Sequence, residues 1–220
     1  MANEPERLWF DETSWVDITR GFLPDAQDVY DALVDTVAWQ QGRVWRYERW
    51  VEEPRLGLGF RTADIPHPDV LETQREVERR YDVTFESVGL AYYRDKRDSV
   101  ALHADDELRY VDDTVVAILT LGARRSFFVA PRRPRQPRPQ PFLSDTGGAT
   151  HDLLPAGGDL LVFGGRFQAD WLHGVPKVSY PVKGRISAQW RWTSRRGRPV
   201  PAATNYYAPR EFSRPQSRTR

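Results

Sequence analysis

The spacing of apolar positions divides the chain into a helical part and a strand part. After Asp25, a residue type suited to cap a helix, Val29, Leu33 and Val37 recur at four-residue intervals, which predicts one buried helical face following a short strand near Trp15. Residues 68–83 repeat the period, with Val70, Val77 and Tyr81 on one side and charges elsewhere; a second amphipathic helix is expected there, with His67 in the loop before it. From Phe85 the period changes. FESVGLAYY, SVALHADD, TVVAILTLG and SFFVAP are short runs rich in β-branched and aromatic residues, and they predict successive strands. Leu160 to Phe163, after the turn at Gly157 and Gly158, and the alternating segment from Arg185 add two more. Residues 41–62 mix arginine, tryptophan and short apolar runs, and Pro54 to Gly59 is expected to break regular structure.

The ends read differently. Residues 1–14 look like a leader that Leu8, Trp9 and Phe10 could pin to the body, and 194–220 like a flexible basic tail. PRRPRQPRPQP at 131–141 cannot be a central strand, because proline lacks the ladder donor; an extended basic loop is expected. That leaves one domain over 15–193, and 220 residues with 40% hydrophobic content suffice for its core. No run of eighteen apolar residues and no signal-like N-terminus exist, so a cytoplasmic, membrane-free protein is expected; a monomer is expected as its oligomeric state. Charge is unevenly spread: residues 1–120 carry 14 Lys/Arg against 26 Asp/Glu, and 121–220 carry 18 against 5. The basic half suits phosphates, or it is neutralised by the acidic half on folding.

The absence of cysteine confines any metal site to the four histidines with carboxylates. His103 and Asp105 stand two apart in a predicted strand, which would offer an imidazole and a carboxylate on one face. His173, after a glycine-rich apolar strand, is the candidate second imidazole; two histidines and one carboxylate are the ligand set of non-haem Fe(II) oxygenases. His67 and His151 lie by loops and are set aside. Arg185 and Arg191, six apart on one predicted strand, would share a face, where their planar forks suit a carboxylate ligand.

Over about residues 80 to 192 the chain resembles the AlkB-type branch of the Fe(II)/2-oxoglutarate dioxygenases, through YYRDKRDSVALHADDE, TLGARRSF, GDLLVFGGRFQADWLHGVPK and RISAQWR; EPRLGLGF near residue 53 resembles that family's substrate-lid segment. The resemblance implies a mainly β (α+β) fold, a double-stranded β-helix or jelly roll with N-terminal supporting helices. It implies that His103, Asp105 and His173 hold Fe(II), that Arg185 pairs with the distal carboxylate of 2-oxoglutarate, that Tyr93 hydrogen-bonds to this cosubstrate and that Arg191 assists near its metal-bound end. Glu107 corresponds to a position that touches the target base. With dioxygen, the implied chemistry is oxidative dealkylation of an N-alkylated nucleobase in DNA or RNA, presented single-stranded or flipped out of a duplex. Trp50, Phe60, Tyr92 and Trp171 are the available aromatic walls for such a base. Ala91 stands where the family has asparagine, Lys96 where it has a turn glycine and Gly59 where tryptophan is common. These departures keep open an oxygenase of the same fold acting on a small molecule or protein; a nucleic-acid-binding module without turnover is a third reading, against which the complete triad argues.

Overall fold

The computed structural model describes residues 3–46, 48–105, 107–132, 150–200 and 210–212. In chain order its elements are β1 (Glu6–Trp9), β2 (Ser14–Thr19), α1 (Ala26–Thr36), β3 (Gln40–Arg46), β4 (Arg49–Arg61), α2 (Pro68–Tyr81), β5 (Ser87–Tyr93), β6 (Val100–His103), β7 (Thr114–Gly122), β8 (Phe128–Pro131), β9 (His151–Asp152), β10 (Leu160–Gly165), α3 (Phe167–Asp170), β11 (Trp171–Val175), β12 (Arg185–Thr193) and β13 (Arg210–Phe212). The described strands form a large sheet in the order β1-β2-β10-β7-β12-β5-β4-β3-β13 and a small one in the order β6-β11-β8-β9. Every pairing is antiparallel.

Strand alternation gives the large sheet two apolar faces. One carries Leu90, Leu119, Leu160, Ile186 and Trp190 against the buried stripes of α1 (Val29, Leu33) and α2 (Val70, Val77). Trp190 Nε1 donates to Gln74 Oε1 of α2 at 3.0 Å, so the helix and β12 are joined by a satisfied buried polar pair as well as by packing. The other face carries Val116, Ile118, Leu161 and Phe163 against Val129, Trp171 and Val175 of the small sheet. This is the jelly-roll sandwich expected from the sequence, and the second interface is where its site lies.

Several expectations are corrected. The leader is in part a strand: β1 pairs along β2 as the edge of the large sheet, with Arg7 bidentate to buried Asp17 at 2.6 and 2.7 Å. Pro54 to Gly59 does not interrupt structure but belongs to the thirteen-residue β4. The pairing slips between Gln41 and Arg43, so proline's missing N–H falls in a bulge, where no ladder donor is required. Within the expected tail, Val200 N–H donates to the Arg109 carbonyl and β13 pairs with β3, because the β3 edge offers main-chain groups that a later segment can satisfy. His67 is the cap of α2, its Nδ1 accepting from the Asp69 N–H. Lys96 has an ordinary φ, so the turn does not need glycine there. Residues 133–149, most of the proline–arginine segment, lie outside the described residues. No described helix is long and apolar enough to cross a membrane.

Candidate metal centre

His103 closes β6 and lies directly opposite His173 of β11 in the antiparallel register, with ring centroids 4.5 Å apart. Close approach of these strands depends on Gly174, where a Cβ would come within 2.9 Å of the Val100 carbonyl oxygen. Asp105 is not on the strand. It sits in the turn beyond β6, its N–H donating at 2.8 Å to Oε1 of Gln168, a fully buried residue of α3. One donor atom from each of His103, Asp105 and His173 falls within 4.8 Å of the others. The Ala101 carbonyl, 2.8 Å from His103 Nδ1, can only accept. Nδ1 therefore carries the proton, and Nε2, 4.0 Å from Asp105 Oδ1, presents a lone pair toward the carboxylate.

Burial alone would push the Asp105 carboxyl up, but Arg191 and the two imidazoles outweigh it and hold it at about 2. For His173 burial works the other way and, reinforced by the adjacent His103, pushes it down to about 3. Its ring stacks at 5.7 Å on Phe127, with Phe163 at 6.2 Å, an apolar setting that disfavours the cation. At neutral pH the set is thus one carboxylate and unprotonated His173 beside His103. Asp105 Oδ2 and His173 Nδ1 are buried without hydrogen-bond partners. A divalent cation fits this donor set, and nitrogen and oxygen donors with no thiolate suit Fe(II).

Arg185, at 0% exposure, adds a second component to the site. It pairs with Tyr93 in the β12–β5 register; its Nη2 is 3.4 Å from Thr120 Oγ1 and its guanidinium carbon 5.7 Å from the Phe127 ring. Nε and Nη1 have no partner, and among the described residues no carboxylate forms an ion pair with it. Burial lowers its pKa to about 10, which still leaves it charged at neutral pH. A buried cation without an anion is costly, and a carboxylate-bearing ligand is the group that would complete it. Arg191, on the same face of β12, bridges Asp105 Oδ1 at 2.9 Å and Glu107 Oε1 at 3.0 Å.

A cavity of about 450 Å³ opens over these residues, lined by Tyr93, His103, Phe127, His173 and Arg191 and walled on one side by β3 and β4. Arg185 does not line the cavity, its guanidinium carbon lying 5.7 Å from the ring of the lining residue Phe127. Glu107, half exposed, sits beside the cavity through its pairing with Arg191. The aromatic walls are not where the sequence suggested. Phe60 alternates with Gly59 to the opposite face and packs in the helix-side core. Trp50 faces Trp45 across the β3–β4 hairpin with rings 5.6 Å apart and does not line the cavity. Tyr92 turns to Tyr30 and Trp39, and Trp171 is covered by Phe10.

Two functional residues are not apparent from the sequence pattern. Gln168 positions the Asp105 main chain, and nothing in sequence marks it. Arg125, 1% exposed, donates to the carbonyls of Asp95 and Asp98, each at 2.8 Å, and of Pro176 at 3.2 Å, with its guanidinium carbon 5.7 Å from the Tyr93 ring. Its only signal is a charge between two apolar strands.

A jelly roll holding two histidines and a carboxylate between its sheets defines the class of non-haem Fe(II) oxygenases. Residues 32–198 match the model of the 2OG-Fe(II) oxygenase superfamily, and the chain belongs to that family. Within it the chain is of the AlkB type. It is 29% identical over 187 residues to the alpha-ketoglutarate-dependent dioxygenase alkB homolog 3 of Bos taurus, covering 77% of this chain and 62% of that protein. It is 27% identical over 222 residues to the DNA oxidative demethylase ALKBH2 of Arabidopsis thaliana, covering 86% of this chain and 70% of that one. The chain thus spans less than two thirds of the length of the alkB homolog 3 relatives, 62% of the Bos taurus and Mus musculus proteins and 66% of the Rattus norvegicus one. Among solved structures, a prolyl hydroxylase from Trichoplax adhaerens in complex with a hypoxia inducible factor peptide shares the fold at a TM-score of 0.58 and 11% identity, over 80% of this chain and 83% of the other. An oxidoreductase of the 2OG-Fe(II) oxygenase family from Burkholderia pseudomallei does so at 0.51 and 12%, over 84% and 87%.

Proposed function

We propose that this chain is an Fe(II)/2-oxoglutarate-dependent dioxygenase that oxidatively dealkylates N-alkylated nucleobases in DNA or RNA. The observation that carries the reading is the fully buried Arg185, without a carboxylate partner among the described residues, opposite Tyr93 on the sheet beside the His103–Asp105–His173 set. When bound, Fe(II) with 2-oxoglutarate and dioxygen supplies an oxidant for a C–H bond, with succinate and CO2 as coproducts.

In this reading His103, Asp105 and His173 hold the metal. Arg185 pairs with the far carboxylate of 2-oxoglutarate, and Tyr93, 2% exposed, donates a hydrogen bond to the same molecule. Arg191 keeps Asp105 ionised and oriented, while Glu107 accepts a hydrogen bond from the base. Phe127 and Phe163 stack by the His173 ring and keep water from it. Hydroxylation of the N-bound carbon gives a hemiaminal. Its O–H proton leaves, the C–N bond breaks with its electron pair returning to the ring nitrogen, and the carbon departs as an aldehyde, formaldehyde where the group is methyl. The similarity to alkB homolog 3 and to the DNA oxidative demethylase ALKBH2 supports the nucleic-acid substrate. One observation favours a second reading, turnover of a small molecule or protein: the aromatics expected to sandwich a base lie elsewhere.

The test is mass spectrometry of a methylated single-stranded oligonucleotide incubated with the chain, Fe(II), 2-oxoglutarate and air, with succinate followed in the same tube. Loss of the methyl mass that requires every component and vanishes with His103→Ala is expected. Succinate without methyl loss would reject the nucleobase substrate and leave the second reading.

A further inference from the structure

Where the large sheet meets the cavity, two neighbouring strand pairs carry almost no side chain. Gly59 pairs with Gly89 and Gly57 with Ala91 across β4 and β5, and all four line the cavity. Their neighbours Leu58, Phe60, Val88 and Leu90 alternate into the helix-side core. At two of these positions the backbone does not call for glycine. Neither Gly59 nor Gly89 has a positive φ. A Cβ at Gly59 would meet only the Val88 carbonyl oxygen, at 4.0 Å, and one at Gly89 would find Arg191 Nη1 at 3.7 Å and the Gln189 carbonyl at 4.0 Å, both ordinary contacts. Glycine weakens a strand interior, and here neither backbone geometry nor the atoms of the described residues account for its presence.

The bare patch also lies next to the chemistry. Arg191, which a Gly89 side chain would touch, is 2.9 Å from Asp105 Oδ1. The same cavity is lined by His173, only 4% exposed and with its Nδ1 unpartnered. Four cavity-facing positions without bulk expose peptide planes whose N–H and C=O groups are already paired in the ladder, so the space above them can take apolar bulk without leaving a polar group unpaired. We infer that Gly59 and Gly89 are specificity-determining residues: the space they leave beside the substrate's ring admits N-alkyl groups larger than methyl. This deepens the proposed nucleobase reading and rests on it. The wall that a base loses through the outward turn of Phe60 becomes the room that a bulkier adduct occupies.

The test reads binding and folding separately from turnover. Anisotropy is measured for the full chain with Mn(II) and 2-oxoglutarate under anaerobic conditions, using single-stranded oligonucleotides that carry one adenine unmodified, N1-methylated or N1-propylated. Wild type is expected to prefer both alkylated forms and to bind them within about threefold of each other. Gly59→Val is expected to weaken propyl binding by about tenfold or more and methyl binding by less than about threefold, the scale of a methylene-sized misfit in a pocket. Its melting temperature should hold or rise, since valine favours an extended strand with space for it. Gly59→Ala and Gly89→Ala give the same comparison should the valine variant fail to fold. Equal losses for both alkyl sizes, or no loss in a folded variant, would overturn the size limit and leave the nucleobase reading standing. Wild-type binding that ignores alkylation altogether would overturn both.

Discussion

Arg185 and His173 are buried ionisable groups whose burial makes predictions for single substitutions. Because Arg185 is a buried charge with two unpartnered nitrogens, removing the charge should help the ligand-free protein while ruining its response to cosubstrate. For Arg185→Met, calorimetry is expected to give an apo stability unchanged or raised by about 1–3 kcal/mol, the penalty of an unsatisfied buried group, with the rise in melting temperature on adding 2-oxoglutarate and Mn(II) abolished. A lower apo stability with the 2-oxoglutarate response intact would mean that Arg185 is a structural residue. His173 yields a pH prediction. Its folded pKa, about 3, lies below the ordinary 6.5, so the unfolded chain takes up its proton first as pH falls. Metal-free protein should therefore lose stability from about pH 6.5 downward, at up to about 1.4 kcal/mol per unit from this group. Asp105 has the same sense in a lower window: its stabilisation is complete above its ordinary 3.8 and is lost as pH falls toward about 2. Denaturant midpoints of wild type and His173→Gln between pH 5 and 7 check the histidine share, and the variant should show the shallower slope.

At the scale of elements, Arg125 joins three backbone carbonyls from the turn between β5 and β6 and from the residue after β11, the segments that carry Tyr93, His103 and His173. Arg125→Met should orphan those carbonyls and lower stability by about 2–4 kcal/mol with an unchanged denaturant slope, whereas Arg125→Lys should recover part of it. A change within about 0.5 kcal/mol would show that the latch is not needed. Some of this architecture is legible in the sequence. The alternation of β12 puts Arg185 and Arg191 on one face, and the 3.6-residue period gives the buried stripes of α1 and α2. The phase of LGLGF separates its residues in the same way: Leu56, Leu58 and Phe60 share one face and the two glycines the other, so placing Phe60 at the site that Gly59 faces disregards strand alternation. The HxD motif picks out residues that the fold brings together with His173, but for an incomplete reason, since Asp105 reaches the imidazoles through a turn held by Gln168 rather than by strand alternation. The pairing of His103 with His173, like the return of β13 to β3, depends on long-range register, which local pattern does not encode.

For the whole molecule, an acidic first part and a basic second part predict salt-dependent nucleic-acid binding. Replacing Arg132, Arg133, Arg135 and Arg138 with glutamine should flatten the log–log salt dependence of oligonucleotide affinity by about 0.7 for every phosphate that is no longer neutralised, as read by anisotropy across salt concentrations. An unchanged slope would remove that segment from the interface. If one set of side chains holds Fe(II) and 2-oxoglutarate together, an anaerobic titration of the chain with both, followed by visible absorption, will show it. A charge-transfer band that arises when metal and 2-oxo acid share a coordination sphere should saturate at one equivalent in wild type. It should be absent in His103→Ala and require far more 2-oxoglutarate in Arg185→Met. A band of equal strength in the folded His103→Ala variant, or none in wild type, would contradict joint binding at this site.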